Sequence, residues 1–114
     1  MNLVNEDVLQ NLRQALSKDD LNALLRQCRD HVIADSLQFQ HWSTAANWRE
    51  AGLLAHRLAG AVANFGCEAL TSALLQIEAG LREDPIRIPD RDSLRRLADL
   101  ASETAKMLEE AALR

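Results

Sequence analysis

Apolar residues recur three or four positions apart along almost the whole of this 114-residue chain, which is the spacing of one face of an α-helix. In the clearest run, the apolar side chains fall within roughly 60° of one line when the helix turns by about 100° per residue. These residues are Ala51, Leu54, Ala55, Leu58, Ala61, Val62 and Phe65. Abundant alanine and leucine and few β-branched residues also favour helix over sheet. We therefore expect an all-α fold.

Breaks in the periodicity divide the chain into five predicted helices joined by short loops. Their approximate spans are Asn5 to Leu16, Ser17 to beyond Phe39, Trp48 to Asn64, Cys67 to Leu81 and Asp92 to Leu113. Asn47 and Glu50 have the spacing of a capping box before the third helix, and Gly66 is placed to close that helix in the left-handed conformation. Short loops make consecutive helices antiparallel neighbours. The predicted architecture of residues 1–114 is thus a single antiparallel up-and-down four-helix bundle with a short additional N-terminal helix as a lid.

Charge and composition narrow the classes of function. A net charge of −4 and a pI near 5.3 provide no basic surface for nucleic acid. No apolar run approaches the roughly 18 residues of a membrane span, and no signal peptide is visible, so a cytoplasmic location is expected. Cys28 and Cys67 fall on apolar stripes, which favours reduced core residues over redox or metal-binding ones. The spacing Cys28-x-x-His31 lacks a second ligand pair, so no metal site is predicted.

One histidine does not fit the core pattern. His56 lies about 160° around the third helix from Leu58, so its ring is expected to point away from the core, toward water or a partner. Small residues flank it on the same face: Gly52, Ala59, Gly60 and Ala63. Each glycine costs about 1 kcal/mol of helix stability relative to alanine. Their presence indicates that another molecule approaches the imidazole closely.

The order His-x-Leu-x-Gly followed by a second glycine occurs here as His56, Leu58, Gly60 and Gly66. It resembles the histidine-containing phosphotransfer (HPt) domains of bacterial phosphorelays, over about Asn47 to Leu81 by motif and elsewhere by helical pattern alone. The resemblance implies that His56 accepts a phosphoryl group from a receiver-domain aspartate and passes it to another receiver. It also implies that the receiver supplies Mg²⁺ and most catalytic groups, so the chain needs no cofactor of its own.

The expected partners are receiver domains of response regulators or of a hybrid sensor kinase, and the chain itself is expected to be a monomer. No nucleotide-binding motif of the kinase type is visible, so phosphorylation from ATP is not expected. A carrier of this kind is not an enzyme in the strict sense.

Three charged side chains are candidates to act with His56. Arg57 lies on one flank of the histidine face, and Arg49 lies two turns earlier in line with it. Either arginine reaches inward to a phosphoryl group, or it is an ordinary solvated side chain. Glu78 on the fourth helix either hydrogen-bonds the imidazole and fixes its tautomer, or is solvated at the helix surface.

The remaining candidates form a docking surface. Leu53 is expected to create a small apolar patch for a receiver together with the small residues of the same face, Gly52, Ala59, Gly60 and Ala63. In the HPt family a lysine usually follows three residues after the histidine and helps to neutralise the phosphoryl group, whereas this chain has Ala59. An HPt-derived module that binds receivers without transferring phosphate is therefore the alternative.

Overall fold

The computed structural model describes residues 1–114 and contains five α-helices and no β-strand. In chain order the helices are α1 (Glu6–Ala15), α2 (Lys18–Thr44), α3 (Trp48–Ala63), α4 (Glu68–Leu81) and α5 (Arg91–Leu113). The predicted all-α fold class is confirmed, and the predicted helix boundaries agree to within one residue. α2 continues past Phe39 as expected.

Polar side chains fix where four of the helices begin. Each accepts a hydrogen bond from a backbone N–H two or three residues further on: Asn5, Ser17, Asn47 and Asp90. Only half of the predicted capping box before α3 forms. The Asn47 side chain accepts from the Glu50 N–H, but the Asn47 N–H donates to the Trp42 carbonyl at 2.9 Å. The backbone of the preceding turn thus takes the place of the Glu50 carboxylate.

The N-terminal segment holds the turn between α3 and α4. Gly66 has a φ of +73°, the left-handed conformation predicted for it, and a Cβ there would lie 3.0 Å from Val8 Cβ. The Asn5 N–H donates to the Gly66 carbonyl at 2.9 Å, and the Ala69 N–H donates to the Asn2 carbonyl at 3.0 Å. Since α4 has no side-chain cap, the Asn2 carbonyl satisfies one of the free N–H groups in its first turn.

The helices share one apolar core. α2 packs against α3 and α5, α4 also packs against α3 and α5, and α1 packs against α2. Each of the four longer helices therefore packs against two of the other three, and the molecule is elongated, measuring 46 × 21 × 20 Å. Trp42 and Trp48 are half-buried against the core on either side of the α2–α3 turn. No helix combines the length and the apolar character needed to cross a lipid bilayer.

Two alanines of α3 face in directions that the periodicity did not predict. Ala61, expected in the core, is exposed, and Ala59, expected on the exposed histidine face, is only 3% exposed. Both predictions are wrong for one reason. α3 packs most extensively against α4, so its buried face is centred nearer to Ala55 and Val62 than the apolar pattern alone indicates.

The two cysteines lie in the core, as predicted. Cys28 and Cys67 are both buried and unbonded by a disulfide. The adjacent Cys28 thiol and burial raise the pKa of Cys67, so its protonated form is favoured. His31 is exposed, whereas Cys28 is buried.

Candidate functional site

His56 lies in the middle of α3 on the side away from the core. Its side chain is 64% exposed, whereas its neighbours Leu54, Ala55 and Leu58 are buried. These buried residues anchor the helix on its opposite side. The imidazole is thus displayed at the surface by a helix that is itself fixed in place, which favours a defined geometry over a mobile one.

Glu78 of α4 fixes the orientation of the imidazole. Its Oε1 lies 2.9 Å from His56 Nδ1, and the same oxygen lies 2.6 Å from Arg82 Nη2. A carboxylate oxygen that accepts from a guanidinium must also accept from the ring, so Nδ1 carries the proton and donates. In the neutral ring, Nε2 is then left with a free lone pair. Of the two alternatives for Glu78, the hydrogen bond to His56 is the one that forms.

Glu78 is only 7% exposed although both of its partners lie at the surface. A buried carboxylate is costly unless hydrogen bonds satisfy it, and here His56 and Arg82 supply two donors. Burial also restricts the rotamers that Glu78 can adopt. The acceptor for His56 Nδ1 is therefore positioned by contacts within the chain itself.

A groove of about 400 Å³ opens beside His56 between α3, α4 and the α4–α5 turn. His56 and Glu78 line it together with Gly52, four apolar side chains and two arginines. The apolar residues are Trp48, Leu53, Leu81 and Ile86, and the arginines are Arg49 and Arg82. A nucleophilic ring nitrogen, an apolar wall and two cations thus share one cavity.

The two arginines that are candidates to act with His56 lie in different places. Arg49 lines the groove with His56. Arg57 lies outside the groove, and its Nη2 is 3.6 Å from Asp35 Oδ1 on α2. An ion pair of this kind at the surface contributes little to stability. Arg57 therefore has the setting of an ordinary surface arginine, whereas Arg49 shares the groove with the imidazole.

The small residues around His56 are not required by packing within the chain. At Gly60 a Cβ would meet no atom within 4 Å, and Ala63 one turn later is exposed. Gly52 lies in the groove, where a Cβ would make an ordinary contact of 3.5 Å with Leu81 Cδ1. Leu53, beside it, is 59% exposed. The open surface predicted around the histidine is therefore present at these four positions, whereas Ala59 is covered and does not belong to it.

Arg82 and Ile86 are site residues that the sequence pattern did not single out. Arg82 follows Glu78 by four residues, which places the two side chains on one helix face. That spacing was a usable signal. Ile86 lies in the α4–α5 turn, and helical periodicity says nothing about the path of a turn, so no signal in the sequence pointed to it.

The chain matches no protein-family model, no curated protein and no solved structure.

Among the three histidines, only His56 pairs with a carboxylate. His31 and His41 are exposed, and the His41 ring packs edge-on against Trp42 with 4.9 Å between the ring centres. No three side chains of the His, Cys, Asp or Glu type lie together as a set of metal ligands.

Proposed function

We propose that this chain is a histidine phosphotransfer protein of a two-component phosphorelay. In this proposal His56 accepts a phosphoryl group from the aspartyl phosphate of one receiver domain and passes it to an aspartate of another. The observation that carries the proposal is the exposed imidazole whose Nδ1 is held by the nearly buried Glu78, leaving Nε2 free. The His-x-Leu-x-Gly motif supports the same function.

The chemistry assigned to this site is a direct displacement at phosphorus. The Nε2 lone pair of His56 attacks the phosphorus atom, the acyl P–O bond breaks, and its electron pair leaves with the receiver's aspartate. Because Nδ1 keeps its proton, the phosphorylated ring becomes a cation. The Glu78 carboxylate lies 2.9 Å from Nδ1 and balances this developing charge. In the second transfer, an aspartate of the next receiver attacks the phosphorus and the N–P bond breaks.

The phosphoryl group also needs positive charge beside it. HPt proteins usually supply a lysine three residues after the histidine, and here that position is the buried Ala59. Arg82 approaches from α4 instead, since its guanidinium shares the Glu78 oxygen with the imidazole. Arg49 lines the same groove. Both can form charge-assisted hydrogen bonds to phosphoryl oxygens, while Mg²⁺ belongs to the receiver domain.

The proposal includes the architecture and setting expected of such a carrier. α2 to α5 form an antiparallel up-and-down four-helix bundle with α1 as an additional helix, and their pairwise contacts support this arrangement. The protein acts as a cytoplasmic monomer, and its partners are receiver domains. The receiver provides the catalytic groups, so the chain is a carrier and not an enzyme.

The test is transfer from phosphorylated receiver domains in the presence of Mg²⁺. The wild-type chain is expected to acquire an acid-labile label, and His56→Gln is expected to acquire none. His41→Gln is the matched control, because it removes an exposed histidine outside the groove and should leave labelling intact. Failure of every receiver to label the wild-type chain would contradict the proposal.

The second candidate is an HPt-derived module that binds receivers without transferring phosphate. The absence of a cation at position 59 favours it. Receiver binding that is abolished by a bulky residue at Gly60, combined with no label on His56 from any phosphorylated receiver, would support this module over the carrier.

A further inference from the structure

The α4–α5 turn forms part of the groove beside His56. Ile86 of this turn is 45% exposed and lines the groove opposite residues of α3. Ile88, two residues later, is 54% exposed but lines a different cavity, between α4, α5 and the N-terminal segment. The two isoleucines of one short turn therefore face two separate cavities.

Close backbone contact with α4 fixes the position of this turn. The Arg87 N–H donates to the Gly80 carbonyl at 2.8 Å, and a Cβ at Gly80 would lie 3.1 Å from the Arg87 carbonyl oxygen. The Arg87 guanidinium also donates to the Glu83 carboxylate at 3.2 Å. Because Arg87 is held next to Gly80, the preceding residue, Ile86, is held at the edge of the groove.

The groove pairs apolar surface with positive charge. Its apolar lining consists of Trp48, Leu53, Leu81 and Ile86. Arg49 has no carboxylate partner, and Arg82 shares one oxygen of Glu78 with His56. The groove thus carries two guanidinium groups against one carboxylate, in a chain whose net charge is −4. A partner surface that complements it is apolar at its centre and acidic around it.

We propose that Ile86 is a partner-recognition residue, and that the groove receives an apolar side chain that protrudes from the partner protein and is flanked by a carboxylate that pairs with Arg49. The inference rests on the proposed function, because the occupant belongs to the protein that brings the phosphoryl group to His56. An apolar side chain seated between Ile86 and Leu53 fixes the distance and angle at which that protein approaches the imidazole. Specificity for one receiver over another then depends on the α4–α5 turn as well as on the histidine helix.

The experiment compares Ile86→Asp with Ile88→Asp in binding to the receiver domain that phosphorylates the wild-type chain fastest. Both changes place one carboxylate on an exposed site of the same turn, and far-UV circular dichroism checks that both variants fold. Ile86→Asp is expected to raise Kd at least about tenfold, as for a contact at the centre of an interface. Ile88→Asp is expected to stay within about twofold of wild type.

A second pair of variants tests the charge requirement independently. Arg49→Glu is expected to raise Kd several-fold, with a smaller salt dependence than wild type, whereas Arg95→Glu at an exposed site of α5 has little effect. Equal binding by the two isoleucine variants would overturn the role of Ile86 while leaving phosphotransfer through His56 intact. Failure of the wild-type chain to bind any receiver domain would overturn both proposals.

Discussion

Glu78 shows how a single carboxylate oxygen can fix the orientation of an exposed histidine. Its Oε1 accepts from His56 Nδ1 and from Arg82, while the rest of the side chain is almost buried. One contact selects the tautomer, and the other places a cation next to the ring. The carboxylate also supplies the negative charge that a phosphorylated, Nδ1-protonated imidazole requires.

Replacing Glu78 should separate its two roles. In Glu78→Gln the amide oxygen still accepts from Nδ1, so the tautomer is kept but the compensating charge is lost. We expect the rate of transfer to His56 to fall about tenfold, which corresponds to about 1.4 kcal/mol in activation free energy. Glu78→Ala loses the acceptor as well and should be slower still. Rapid-mixing measurements with a phosphorylated receiver check both variants, and a wild-type rate in Glu78→Gln would show that the charge is not used.

A side chain at Gly60 should make the protein more stable but hinder the approach of a partner to His56. A Cβ at this position meets nothing within 4 Å, so Gly60→Ala is expected to raise the free energy of unfolding by about 1 kcal/mol through helix propensity alone. The same methyl group narrows the approach to His56, so phosphotransfer should slow. Urea unfolding and transfer rates measured on one preparation check both effects.

Gly66→Ala is the contrasting variant. Gly66 has a positive φ, and a Cβ there would lie 3.0 Å from Val8 Cβ, so a side chain is unfavourable. The free energy of unfolding of Gly66→Ala should therefore be about 1–2 kcal/mol lower than that of wild type.

For Gly60→Ala, an unchanged rate of phosphotransfer would mean that the partner does not come close to this point of α3.

At the scale of helices, the sequence predicted the boundaries well and the buried faces less well. Boundaries depend on local chemistry, such as the caps at Asn47 and Asp90 and the left-handed turn at Gly66, so a short stretch of sequence suffices. The faces of α3 depend on how closely α4 packs, and this determined that Ala59 is buried and Ala61 exposed. A single helix does not contain that information.

The candidate site likewise contains residues that the sequence could indicate and one that it could not. His56 and Glu78 were accessible to sequence reasoning because both project from regular helices at fixed angles. Ile86 was not, because its position depends on the approach of the Arg87 backbone to Gly80, which helical periodicity does not specify.

The cap of α5 gives a prediction about pH. The Ser93 backbone N–H donates to Asp90 Oδ1 at 2.7 Å and, with the Ser93 side chain, lowers the pKa of Asp90 below its usual value. A carboxyl whose pKa is lowered on folding stabilises the protein above its unfolded pKa, and this contribution is lost as the pH falls through the folded pKa. Asp90→Ala should therefore be less stable than wild type near neutral pH, with a difference that shrinks in acid.

Unfolding by urea at several pH values measures this difference. Asp90→Asn keeps an N-cap acceptor without a titrating group, so its deficit should depend less on pH. The role assigned to the ionised cap would be contradicted if the difference in free energy of unfolding between wild type and Asp90→Ala stayed constant from neutral to strongly acidic pH.

For the molecule as a whole, the reactivity of the buried thiols is a measure of global unfolding. Cys28 lies on α2 and Cys67 just before α4, and both are buried in the shared core. The neighbouring Cys28 thiol and burial raise the pKa of Cys67, so little Cys67 thiolate is present in the folded state. Burial also keeps a reagent in solution away from both sulfur atoms. We expect an aromatic disulfide reagent to react slowly with both cysteines in native buffer, and at rates that rise together through the urea transition. Prompt reaction of either thiol without urea would show that this part of the core opens locally.

Backbone hydrogen bonds link residues 1–5 to the start of α4 and to the turn before it, so these residues affect the candidate site. The Asn2 carbonyl satisfies the Ala69 N–H, the Asn5 N–H binds the Gly66 carbonyl, and Val4 is buried. Chain ends are usually trimmed without harm. Removing residues 1–5 here would uncap the helix that carries Glu78 and loosen the turn that ends the helix carrying His56. Loss of residues 1–5 would thus misalign Glu78 and His56, which lie more than seventy and more than fifty residues further along the sequence.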